Sequence, residues 1–130
     1  MKKALASILG LGLASNSLWM LASPASWYLT VPGVTETGPA NMHFIRDIGC
    51  AYLVAAVGLL WLVARPAMGW PAAFAGGGFL ALHATIHAWD AAAGREQLAA
   101  LKADLPAVFL PAALALWLAW PRGRGQEMEK

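Results

Sequence analysis

Long stretches of this chain carry no charge, and that limits its folds more than any other feature. No charged residue occurs from Ala4 to Thr35 or from Ile48 to Ala64. Spans of about 20 apolar residues cross a bilayer as helices, because a helix satisfies its own backbone hydrogen bonds where no water can. Hydrophobic residues make up 59% of the chain and charged residues 12%, against roughly 25% charged in ordinary soluble domains. A soluble fold of 130 residues could not hide that much apolar surface. The sequence therefore predicts an all-α integral membrane protein, a single domain built as a four-helix up-down transmembrane bundle.

The predicted spans cover about 4–22, 44–64, 71–89 and 105–120. The first follows Met1-Lys2-Lys3 and has a competing reading. A basic start, an apolar stretch and small residues around Ser23-Pro24-Ala25 also describe a signal peptide. The stretch is long for a signal peptide and Ser-Pro-Ala is a poor cleavage site, so retention as a helix is the expectation.

Residues 23–43 then read as an outer loop, punctuated by Pro24, Pro32-Gly33 and Gly38-Pro39. Trp27, Tyr28, Leu29 and Val31 keep it apolar enough to lie on the membrane surface. A loop this long in a small protein serves either as a lid or as a passive connection. Arg65-Pro66 ends the second span, and Gly69-Trp70-Pro71 reads as a tight turn into the third. Gly76-Gly77-Gly78 allows close helix packing. Leu98 and Leu101, among Arg95, Glu96 and Lys102, suggest a short surface helix. Asp104 is placed to cap the fourth span, with Pro106 in its first turn and Pro111 set to kink it. The tail, 121–130, is polar.

Basic residues orient the bundle. With both termini in the cytoplasm, the inner side carries Lys2, Lys3, Arg65, Arg122, Arg124 and Lys130, and the outer side Arg46, Arg95 and Lys102. Trp61, Trp70, Trp117 and Trp120 then share the inner interface, and Trp19, Trp27 and Trp89 the outer one. This fits a multi-pass membrane protein with both termini on the cytoplasmic side.

The candidate site is the stretch FLALHATIHAWD, Phe79 to Asp90. Its His83, His87 and Asp90 stand at i, i+4 and i+7, on one helical stripe. Ionisable groups are costly in a membrane helix, so such a stripe marks a working site or a buried network. The second span offers His43, Asp47 and Cys50 at the same spacing and in the same leaflet. His43, Asp47, His83, His87 and Asp90 together form a candidate ligand set for zinc, copper or iron. Haem would need two histidines facing across a gap, and a quinone or other small molecule is a further reading. Arg46 is expected to pair with Asp90 and tie the outer helix ends together. The competing reading is a structural polar network, with Cys50 as a packing residue.

Several classes are excluded or unsupported. The lone cysteine rules out an intrachain disulfide and multi-cysteine zinc motifs. No basic patch interleaved with aromatics points to nucleic acid. No HExxH motif, nucleophile elbow or triad order is present, so the residues specify no reaction. The expected partners are the lipid bilayer and either another membrane protein or a second copy.

The segment HFIRDIGCAYLVAAVGLL, with its Arg-Asp-Ile-Gly entry into an apolar helix, resembles small bacterial membrane proteins of the DoxX-like kind. The resemblance implies a four-helix membrane bundle and carries no activity, cofactor or site residue. Two functions stay open: a protein with a metal or redox cofactor at the His/Asp cluster, and a non-catalytic accessory or structural subunit.

Overall fold

A computed structural model describes residues 1–94 and 102–120. Among the described residues the chain is helical and contains no strand. α1 spans Lys2–Ala22, α2 Pro24–Thr30, α3 Met42–Ala64, α4 Pro66–Ala92 and α5 Lys102–Ala119. A short 3-10 turn, Val34–Thr37, lies between α2 and α3. The expected surface helix around Leu98 and Leu101 and the polar tail fall outside the described residues.

The long helices pack in series, α1 on α3, α3 on α4 and α4 on α5. α5 returns to touch α1 more sparingly, so a gap is left between these two. Lys2 lies 4.1 Å over the Trp117 ring and Phe74 is 6.0 Å from Trp120, which puts the start of α1 and the end of α5 at one end of the bundle.

α1, α3 and α5 are long and apolar enough to cross a membrane. α4 is the longest helix at 27 residues, but its glycines, histidines and Asp90 dilute it. Leu11, Leu18, Val54, Val57, Leu82 and Ile86 point outward from the bundle. The core is built largely of alanine, with Leu13, Leu59 and Leu80. Small residues let backbones approach, which suits helices that have no hydrophobic drive toward each other in lipid.

The α3–α4 hairpin shows this directly. A Cβ on Gly58 would stand 2.7 Å from the Ala72 carbonyl oxygen, and one on Gly76 2.7 Å from Ala55 Cα. Of the three predicted packing glycines, Gly76 and Gly77 meet neighbours, whereas nothing lies within 4 Å of a Cβ at Gly78. α1 is held to α3 by the fully buried Ser17, whose Oγ donates to the Gly49 carbonyl at 2.7 Å.

Three boundaries and one helix interior differ from the sequence reading. Residues 24–30 form a helix rather than open loop, because Pro24 sits in the first turn, where its missing N–H costs nothing. The turn between α3 and α4 is Arg65 alone (φ −138°, ψ 74°), and Gly69-Trp70-Pro71 is already helical. α5 begins before Asp104, whose side chain makes no cap hydrogen bond. Pro111 is preceded by a π-helical segment, Leu105–Phe109, in which Leu110 N–H reaches back to the Leu105 carbonyl. Pro111 has no N–H for the Ala107 carbonyl and its ring would press on it, and a widened turn is one way a helix absorbs that conflict.

Candidate functional site

Phe79, His83 and His87 recur every four residues, so α4 presents them as one stripe. The stripe faces α3, where Tyr52 meets it edge-on, 5.5 Å from Phe79 and 5.9 Å from His83 between ring centroids. His83 stacks near Phe79 at 6.2 Å and meets His87 edge-on at 4.8 Å. Each ring is thereby fixed by its neighbours along and across the helices.

His87 then reaches a group on another helix. Its Nδ1 lies 2.9 Å from Asp104 Oδ2. The two side chains are 22% and 16% exposed, sheltered but not sealed. A carboxylate only accepts hydrogen bonds, so Nδ1 carries the hydrogen that it donates.

This pair stands on the wall of a partly open cavity of about 920 Å³. Ile8, Leu9, Leu13 and Met20 of α1, Ile45, Ile48 and Tyr52 of α3, and Ala107, Val108 and Pro111 of α5 supply apolar walls. His83 and His87 line it from α4. The gap between α1 and α5 is where it lies.

The segment from α2 to α3 closes over one end. Trp27 and Tyr28 line the cavity, as does the stretch from Val31 to Asn41 with the exception of Thr35. Trp27 Nε1 donates to Asn16 Oδ1 at 2.9 Å, which pins α2 to α1. Tyr28 donates its hydroxyl to the Gly38 carbonyl at 2.7 Å. Gly33 (φ +82°) and Gly38 (φ +130°) make turns that side chains disfavour, which folds the segment back on itself. Asn41 ends it by accepting from the His43 and Phe44 amides, both at 3.1 Å.

The five candidate metal ligands do not gather. His83 and His87 adjoin. His43 and Asp47 pair with each other at 3.5 Å on an open face, 88% and 57% exposed. Neither lines the cavity, and neither does Asp90 or Cys50; the thiol is exposed. Among the described residues no group of three or more His, Cys, Asp and Glu side chains is placed to hold a metal ion. The expected Arg46–Asp90 pair is likewise not one of the ion pairs among the described residues. Arg46 instead donates from Nε to the Leu21 carbonyl at 3.3 Å, capping the exposed end of α1. A helix C-terminus leaves carbonyls without intrahelical partners and attracts a cation, and Arg46 meets both needs.

Asp104 is the functional residue that sequence reasoning misassigned, and Tyr52 the one that it missed. Both signals were present: a carboxylate and a phenol beside otherwise apolar spans. No family model matches this chain, and no curated protein or solved structure matches it.

Proposed function

We propose that this protein is a bacterial inner-membrane four-helix bundle of DoxX-like kind, N and C termini cytoplasmic, that binds a small, largely apolar molecule in its outer leaflet. One observation carries the binding reading: a cavity of about 920 Å³ whose walls are mostly apolar and whose polar end holds the paired His87 and Asp104. Ligand sites have this composition, an apolar body with a few placed polar groups that fix orientation. A histidine and a carboxylate that bond each other, sheltered between two helices, fit a site better than a lipid-facing surface. A redox cofactor is one such molecule. A metal ion bound by protein groups alone has less support, since the described residues supply no third ligand beside the pair.

The reading is tested on the purified protein. Organic extraction with mass spectrometry, an absorption spectrum and elemental analysis together detect a bound molecule, a chromophore or a metal. The expected result is a small molecule in stoichiometric amount, lost from Gly12→Trp. Gly12 lines the cavity and a Cβ there meets nothing within 4 Å, so the indole enters empty space rather than the core. Identical extracts from both proteins overturn the reading. Labelling of cysteines placed at position 36 from outside and at position 68 from inside tests the orientation.

A second reading rests on the same pair. His87 and Asp104 connect α4 to α5, so the bond serves equally as a clamp in a non-catalytic accessory subunit. That reading requires a partner protein or a second copy to co-purify and the cavity to contain nothing but lipid.

A further inference from the structure

The cavity carries an imprint of the head group that it accepts. This inference rests on the binding reading above and narrows it. We propose that the ligand is an uncharged amphiphile whose polar end is a hydroxyl group, an alcohol or a phenol, donating its hydrogen to His87 Nε2.

The argument starts from the tautomer. Asp104 takes the hydrogen on His87 Nδ1, at 2.9 Å. In a neutral imidazole the two nitrogens have opposite roles, so Nε2 is then an acceptor with a lone pair. The partner of one ring nitrogen sets the chemistry of the other. His87 lines the cavity, and among the described residues no hydrogen bond to Nε2 accompanies the one at Nδ1. An acceptor at the end of an apolar chamber is satisfied by a donor, and a ligand hydroxyl is the simplest one.

Charge narrows the class further. Among the described residues, none that lines the cavity is a lysine or an arginine. A carboxylate or phosphate head would face Asp104 with no cation among the described lining residues to balance it, and burying an uncompensated charge is costly. Acidic groups do line the cavity, but Asp104 is engaged by His87, and Glu36 lies exposed on the covering segment where water hydrates it. Among the described residues a fixed cation therefore has no unengaged sheltered carboxylate in the cavity to meet. The rings of Tyr52 and His83 beside His87 give the carbon next to the hydroxyl an aromatic wall.

Four probes with one chain and different heads test this in lipid nanodiscs. Dodecanol donates a hydrogen bond. Dodecyl methyl ether only accepts, laurate is an anion, and dodecyltrimethylammonium is a cation without a donor. Each is titrated at matched mole fraction in the bilayer, and binding is read from the imidazole nitrogen signals of histidine-labelled full-length protein. Dodecanol should bind about tenfold tighter than the ether, the worth of one hydrogen bond, and tighter than either ion. In Asp104→Asn the amide can donate to Nδ1 and move the hydrogen to Nε2, so the preference for dodecanol over the ether should fall toward unity. Gly12→Trp should abolish binding of all four.

Equal binding of the four probes, lost in Gly12→Trp, overturns the head-group inference while the cavity reading stands. Tightest binding by laurate or by the ammonium also overturns it. Binding that is indifferent to Gly12→Trp, or absent, overturns both. The selectivity of the natural sequence decides the matter even if Asp104→Asn does not fold.

Discussion

Replacing Gly58 by alanine should force α3 and α4 apart. The added Cβ would stand 2.7 Å from the Ala72 carbonyl oxygen and 2.8 Å from its carbon, where 3.4 Å is an ordinary contact. The obstacle is backbone, which cannot swing aside as a side chain does. The helices must separate by the difference, about 0.7 Å (3.4 less 2.7). Overpacking of this kind costs typically about 1–3 kcal/mol. Gly76→Ala meets Ala55 Cα at the same 2.7 Å and should cost as much. The two sites share one interface, so the double variant should lose less than the sum, because the first substitution already opens the gap. Gly78→Ala is the control: with nothing within 4 Å it should be neutral, or stabilising by up to about 1 kcal/mol from helix propensity. Thermal melts in bicelles, followed by circular dichroism, give the ranking. If Gly58→Ala melts with the parent protein while Gly78→Ala loses stability, the close approach of α3 and α4 described here is wrong.

Three further outcomes follow from the same geometry. Ser17→Ala removes the 2.7 Å bond to the Gly49 carbonyl and should cost about 0.6–2 kcal/mol in an unfolding titration, the range for interhelical hydrogen bonds in membranes. In a double-mutant cycle, His87→Ala and Asp104→Ala should show a coupling of about 1–3 kcal/mol, as a sheltered bond to a charged group gives; additive effects would mean that the two do not meet. Arg46→Ala removes the 3.3 Å bond from Nε to the Leu21 carbonyl and should cost about 0.5–1.5 kcal/mol in the same titration; an unchanged midpoint would mean that it does not cap α1.

The helices were legible because their causes are local. Uncharged runs fix where α1, α3 and α5 lie, although α3 starts at Met42 rather than 44 because the Asn41 side chain caps it there. Glycine spacing foretold close packing but not which glycine packs, since that depends on the rotation of α4 against α3. Pro71 read as the start of the third span and lies further inside the helix, because the actual turn at Arg65 makes position 71 part of the second turn of α4. Counting histidines by leaflet grouped His43 with His83 and His87 but could not see that it stands on an open face, 88% exposed.

The site itself was half legible, and the missing half lies with Asp104. Read locally, an aspartate two residues before Pro106 is a cap, and nothing in its neighbourhood names His87, 17 residues earlier. What places it is Pro111. The conflict between that ring and the Ala107 carbonyl is taken up by the π-helical turn at Leu105–Phe109, where Leu110 bonds Leu105 rather than Pro106. A bond that reaches one residue further back shifts everything before it around the helix axis by roughly one residue, about 100°. Asp104 precedes the turn, so this shift helps decide whether its carboxylate faces the cavity or the lipid. The residue expected to bend the helix thus bears on the direction of a carboxylate seven positions away, and the proline, the widened turn and the histidine–aspartate pair belong to one structural argument.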